Sequence, residues 1–366
     1  MIPILFLLSL DHRLVGGAGC WIDNRNTSVI YAELGYSFVF APNLQTEIRF
    51  AFSDIVRGNP DGVGHGLFLS RGYVKWKGPW MSLKTGRIFL DYADGLFLAD
   101  PGLGSDGALM RFTGQNLWLD CFYILTSQTI SPGQEPDNQV AGFYASLGPK
   151  WLRWQAYSAS NTGPNPDAWL GSRVAWNRFT LSFAGEAAVN RSSQAILIRA
   201  SFWGLGVVEP GVGFFSFGES WRAPQHYTPH PWGYYNGWGG FGEAMTWAAM
   251  TDTLLPGLVS QPGLGTYGIY WPDIHGIRII NLNLLAGITP DLSARLDGFE
   301  FWALSENAEI GREISLNLVY DVAGANIGIA GGVMQPGTVL EDMGREKPYW
   351  SLRFWSFKAF ELAPKH

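Results

Sequence analysis

Between Val29 and Asp54 the chain alternates apolar and polar residues over two long runs separated by a three-residue break. Ile30, Ala32, Leu34, Tyr36, Phe38 and Phe40 share one parity, and Glu33, Gly35 and Ser37 the other. After Ala41-Pro42-Asn43 the pattern restarts, with Leu44, Thr46, Ile48, Phe50 and Phe52 set against Gln45, Glu47, Arg49, Ala51 and Ser53. Successive side chains of a strand leave opposite faces, so this is a hairpin of two long strands, each apolar on one side only. Strands in soluble proteins usually run about 5–6 residues. Strands of roughly 9–11 residues with one committed apolar face are the kind that cross a bilayer.

The same beat recurs along the chain. Strands are expected near 67–77, 80–90, 106–113, 117–126, 139–147, 151–158, 168–177, 179–187, 194–203, 206–218, 277–288, 292–303, 310–321, 326–333 and 349–360, with a weaker first strand at 14–21. Connections alternate between minimal ones (41–43, 78–79, 148–150, 289–291) and long ones (55–65, 128–138, 159–167). Short periplasmic turns and long extracellular loops show this asymmetry. The expected fold class is all-β, a transmembrane antiparallel β-barrel of about 18 strands. Residues 14–361 read as one barrel domain carrying an exceptional loop at 219–273, and residues 1–13 as the remnant of a signal peptide that lacks its basic start. A soluble propeller is the competing all-β arrangement, but its repeats of about 40–50 residues carry a shared signature that is not found here.

Charged residues make up only 15% of the chain and aromatic residues another 15%, against about 25% charged in soluble domains. In a soluble protein that aromatic surface would drive aggregation; in a barrel it faces lipid. Tyr31, Trp76, Trp80, Trp151, Trp176, Trp203 and Trp350 fall near strand ends, where interfacial girdles form. No apolar span is long enough for a transmembrane helix. The net charge of −6 provides no footprint for nucleic acid. Of the two cysteines, Cys121 shares the apolar row with Leu119 and Tyr123 and reads as an unpaired thiol.

No G-x-S-x-G, H-E-x-x-H, P-loop or dinucleotide fingerprint occurs, so no enzyme and no cofactor is expected. His226, His230, Asp273 and His275 match no strong ligand spacing, and no metal is expected either.

Residues 83–126 carry the most specific pattern. A strand containing Gly86-Arg87-Ile88 leads to Tyr92-Ala93-Asp94-Gly95, and the next strand opens on Asp106-Gly107. This stretch resembles the alginate-export family of outer-membrane barrels, with Ile88 and Ala93 as departures from its motifs. Gly311-Arg312-Glu313, Gly331-Gly332, Pro336-Gly337 and an aromatic last strand resemble the same family. The resemblance implies an eighteen-strand barrel with an arginine-bearing polar channel, folded by the barrel-assembly machinery into outer-membrane lipid.

Alternation gives a list of channel-lining residues independently of the resemblance. Opposite the apolar row stand Arg49, Arg71, Lys75, Lys77, Arg111, Arg153, Arg173, Arg199, Arg295 and Arg353, with the acids Glu33, Glu47, Asp120, Glu186, Glu209, Asp297 and Glu313. Most of these are expected to pair across strands, and the cationic surplus would favour anions. Lys84 and Arg87 fall on opposite faces by counting, and the resemblance favours Arg87 as the lining residue. In the long loop, Trp232, Tyr234, Tyr235 and Trp238 offer ring faces for saccharide contacts. The expected function is a porin-like passive channel of the bacterial outer membrane for small or acidic, including saccharide, solutes. A non-conducting binding or adhesion barrel is the alternative.

Overall fold

The computed structural model describes residues 11–23, 28–57, 66–88, 90–92, 98–99, 105–125, 139–162, 167–191, 193–203, 206–218, 276–304, 307–323, 325–342 and 344–361. The long loop, with Trp232, Tyr234, Tyr235 and Trp238, lies outside the described residues, as do His226, His230, Asp273 and His275.

Eighteen strands form a single antiparallel sheet. They are β1 (Asp11–Asp23), β2 (Ser28–Ala41), β3 (Leu44–Arg57), β4 (Gly66–Lys77), β5 (Met81–Ile88), β8 (Ser105–Thr113), β9 (Leu117–Leu125), β10 (Gln139–Leu147), β11 (Leu152–Asn161), β12 (Ala168–Arg178), β13 (Leu181–Val189), β14 (Gln194–Phe202), β15 (Val208–Phe217), β16 (Ile277–Gly287), β17 (Leu292–Ala303), β18 (Ala308–Val322), β19 (Ala325–Pro336) and β20 (Tyr349–Glu361). Between β5 and β8 a separate two-strand ribbon pairs β6 (Asp91–Tyr92) with β7 (Leu98–Ala99). A short helix, α1 (Thr338–Asp342), follows β19 and buries Val339 and Leu340.

Each wall strand pairs with its sequence neighbours in the wall, and β1 seals the cylinder by pairing with β2 on one side and β20 on the other. Closure leaves no sheet edge, which matters in hydrocarbon, where each unpaired N–H or C=O costs several kcal/mol. β1 begins at Asp11, three residues before the first strand expected at 14–21.

The alternation is realised as an apolar exterior. Leu34, Ile48, Phe50, Phe143, Leu170, Leu282, Ile314 and Val333 are all exposed on the outside, while Glu33, Glu47, Arg49, Asp120, Glu186 and Asp297 are buried on the opposite rows. Trp76, Trp80, Trp151 and Trp203 gather exposed at the short-turn end. There Trp80 stacks on Phe112 at 5.9 Å and Arg178 lies 5.4 Å over Trp151, as an interfacial belt requires. Cys20 and Cys121 are both free thiols, and Cys121 is half-buried on the outer row.

Two departures from strict counting matter. The β3–β4 register passes from Arg49↔Arg71 to Phe50↔Leu69, which makes Ser70 an extra residue in β4. A bulge shifts all residues beyond it by one face, so the odd-numbered Leu67 and Leu69 are exposed where the even-numbered Val74 and Trp76 are exposed before it. In β5, Gly86 has φ of 115°, and a Cβ there would come within 2.2 Å of the Gly72 carbonyl oxygen, so only glycine fits.

Candidate functional site: the barrel interior

The interior is divided along the barrel axis. Its short-turn half is polar and charged, and its long-loop end is apolar.

On β2–β5 the charges are joined in one chain. Arg49 pairs with Glu33 at 3.0 Å and Glu47 at 2.8 Å, Arg71 reaches Glu47 at 3.5 Å, and the Tyr73 hydroxyl donates to Glu47 at 2.8 Å. The Lys84 ammonium sits 3.9 Å over the Tyr73 ring, which places Lys84 on this inner row. Lys75 stands between Val74 and Trp76, two exposed residues, and so faces inward with Tyr73.

Arg87 takes the other face. It pairs in register with Gly72 and Asp106, in the row of Val74, Leu83 and Met110, and its guanidinium meets the exposed Asp106 carboxylate at 3.6 Å. Lys84 thus joins the Tyr73 row, while Arg87 meets Asp106 at the long-loop end of β5 and β8. The same register sets Gly86 opposite Gly107, where a Cβ would meet the Tyr123 carbonyl oxygen at 2.1 Å. The two motif fragments Gly86-Arg87 and Asp106-Gly107 are thus one cross-strand unit at the long-loop end of β5 and β8.

On β8 and β9, Arg111 grips Asp120 through two hydrogen bonds of 2.6 and 2.7 Å, and Asp120 is fully buried. Arg111 also lies 4.7 Å over the Trp118 ring, with Arg153 5.9 Å from the same ring. Further round, Arg173 donates to Gln155 at 2.9 Å, and Arg295 chelates Asp297 at 2.7 and 2.8 Å. Asn281 donates to Asp297 at 3.1 Å and accepts from Asn283 at 2.9 Å. Glu313 accepts from the Ser315 hydroxyl, and Arg353 is fully buried on β20.

A cavity of about 350 Å³ opens on the inner wall of β12–β17, toward the short turns. Arg173, Arg199 and Arg295 line it together with Glu209, Asn281 and Asn283. Alternation thus brings three of the sequence-predicted cations to one recess. Among the described residues no group of three or more His, Cys, Asp or Glu is placed to hold a metal ion.

The long-loop end departs from the expectation of a polar lumen. Ile88, Ile124, Val140, Leu197, Phe215, Phe217, Ile277, Ile279, Phe299, Phe301 and Met334 are buried there, packed with Leu90, Tyr92, Val339 and Leu340 from the connections. The signal was present in Phe215 and Phe217, Ile277 and Ile279, and Phe299 and Phe301, where the row opposite the exposed one turns apolar near a strand end.

Sequence reasoning also missed a file of aromatic rings inside the wall. Tyr92 stacks on Tyr144 at 4.5 Å, and Tyr144 on Tyr157 at 6.1 Å, with interplanar angles of 14° and 8°. The Tyr92 hydroxyl donates to Asp120 at 2.9 Å and the Tyr157 hydroxyl to Glu186 at 2.6 Å. Burial, and then the neighbouring Asp120 carboxylate, raises the Tyr92 phenol above its ordinary value, so it stays a proton donor. Gly171 makes room for Tyr157, since a Cβ there would lie 2.2 Å from the ring.

Neither a protein-family model nor the sequence of a curated protein matches this chain. Solved structures match its fold over nearly its whole length. OccK3 (OpdO) of Pseudomonas aeruginosa superimposes with a TM-score of 0.66 at 10% identity, covering 98% of this chain and 100% of that one. OccD3 (OpdP) of Pseudomonas aeruginosa gives 0.64 at 11% identity, covering 96% and 91%. Wzi of Escherichia coli, an outer-membrane protein involved in group 1 capsule assembly and described as a carbohydrate-binding β-barrel, gives 0.58 at 11%, covering 97% and 86%. With eighteen strands closed on themselves and an apolar exterior, this chain is an all-β transmembrane barrel of the bacterial outer-membrane type, sharing the fold of these proteins.

Proposed function

We propose that the protein is a passive outer-membrane channel that favours small anionic solutes, acidic saccharides among them. The observation that carries this is the recess of Arg173, Arg199 and Arg295, with Asn281, Asn283 and Glu209 beside it and Asp297 chelating Arg295. Guanidinium groups in a low-dielectric wall focus a positive field and present paired donors to carboxylates. Glu33, Glu47 and Asp120 are engaged with Arg49, Arg71 and Arg111, so their negative field is offset locally. The resemblance of residues 83–126 to alginate-export barrels supports an acidic saccharide as cargo, and the closed eighteen-strand cylinder supports passage.

The test is the reversal potential across a salt gradient in planar bilayers. Native protein should prefer anions, and Arg173→Gln, Arg199→Gln and Arg295→Gln together should move the permeability ratio toward cations. An unchanged ratio in a folded triple variant would sink the anion assignment.

A second reading, a non-conducting binding barrel, rests on the apolar packing at the long-loop end. A folded barrel that passes no ions at all would favour it.

A further inference from the structure

Tyr92 belongs to a two-residue ribbon strand and not to the barrel wall, yet its ring is buried inside that wall. The surface it covers is complete without it. Asp120 keeps its two hydrogen bonds from Arg111, Tyr144 keeps its stack on Tyr157, and Tyr157 keeps its bond to Glu186. Removing Tyr92 leaves a flat aromatic face beside a carboxylate oxygen already fixed in position.

We propose that Tyr92 occupies, as an internal surrogate, a ring-binding subsite formed by Tyr144 and Asp120, and that a pyranose passing through the barrel takes its place. This rests on the channel reading above and assigns that channel a saccharide subsite. The geometry of the surrogate defines the ligand. It must offer a flat six-membered face at the 4.5 Å separation of the Tyr92 and Tyr144 centroids, and a hydroxyl at its edge that donates to Asp120, as Tyr92 does at 2.9 Å. A pyranose has both, a C–H face suited to an aromatic plane and hydroxyl donors around its rim. Trp118, under the Arg111 guanidinium at 4.7 Å on the same inner wall, adds a second ring beside the subsite.

Binding then requires Tyr92 to leave, so the apparent affinity is the intrinsic affinity reduced by the small fraction of barrels with the subsite open. The experiment compares native protein with Tyr92→Phe, Tyr92→Ala and Tyr92→Ala/Tyr144→Ala, each shown to be a folded barrel by its heat-shifted mobility in detergent gels. Block of open-channel current is titrated with a hexauronate, with maltohexaose and with p-cresol. Tyr92→Ala should tighten hexauronate block about tenfold, Tyr92→Phe should tighten it less because only the hydroxyl bond is lost, and the added Tyr144→Ala should abolish the gain. Equal block of native and Tyr92→Ala channels would overturn the subsite. A gain for p-cresol alone would overturn the saccharide assignment. If no folded form conducts, the channel reading fails by itself, and the subsite is judged by intrinsic-fluorescence titration of the same proteins in detergent. There, tighter hexauronate binding by Tyr92→Ala supports it and unchanged binding overturns it.

Discussion

Asp120 has no solvent exposure, and Arg111, which chelates it, keeps about a third of its side-chain surface open, 35%. Removing one member of a buried pair leaves a charge without compensation, which costs about 3–5 kcal/mol. Arg111 can recover some hydration from its open side, so Asp120→Ala should cost about 3 kcal/mol, the lower end of that range. Urea unfolding in detergent micelles would read this as an earlier midpoint, and an unchanged midpoint would show that the pair contributes nothing. Gly171 is sensitive in another way. Its replacement by alanine drives a methyl into the Tyr157 ring, 2.2 Å away, and overpacking of this kind costs about 1–3 kcal/mol. Gly171→Ala should therefore disturb near-ultraviolet tyrosine dichroism as well as stability, whereas Gly287→Ala, which meets nothing within 4 Å, should leave the dichroism unaltered.

At the scale of the strand, depth in the membrane decides what a lipid-facing residue tolerates. Ile48 lies near the middle of the exposed row of β3, and Trp203 lies at the short-turn end after β14. An arginine costs about 2–4 kcal/mol at the bilayer midplane and about 0–1 near the interface. Ile48→Arg should thus destabilise the refolded barrel by several times more than Trp203→Arg, and similar penalties for both would misplace the membrane band. The connections carry an orientation as well. Both described chain ends, Asp11 and Glu361, lie with the turns at 42–43, 114–116 and 179–180, which makes that end the expected periplasmic side. An epitope inserted between Thr162 and Asp167 should then be stained on intact cells, and one at Lys150 only after permeabilisation. The reverse pattern would invert the barrel.

For the whole molecule the relevant quantity is the field inside the cylinder. If Arg173, Arg199 and Arg295 set the ion preference, it should be strong in dilute salt and fade as the screening length falls from about 30 Å at 0.01 M to about 3 Å at 1 M. A preference independent of salt would point to steric sieving instead. The axial division of the interior bears on the same measurement. The arginine recess lies toward the short turns and the apolar packing at the opposite end, so a solute meets the two in series. Adding charge at the apolar end, for example Ile279→Lys, should alter conductance more than it alters selectivity.

Period-two alternation is a local property, set by the geometry of the strand itself, and so the sequence alone determined the all-β class, the long strands, the apolar outside and the inner rows of Glu47, Arg49, Asp120 and Arg173. Counting along a strand fails wherever one residue breaks the period. The extra Ser70 in β4 is such a place, and Leu67 and Leu69 could be assigned to the exposed face only once the register was known. Tertiary structure alone decided which distant residues meet. Tyr92 reaches Asp120 across 28 residues of chain, and Tyr157 reaches Glu186 across 29, because barrel curvature brings successive inner rows together. No periodicity encodes those meetings, for they depend on closing the sheet, and closure is a property of all eighteen strands at once.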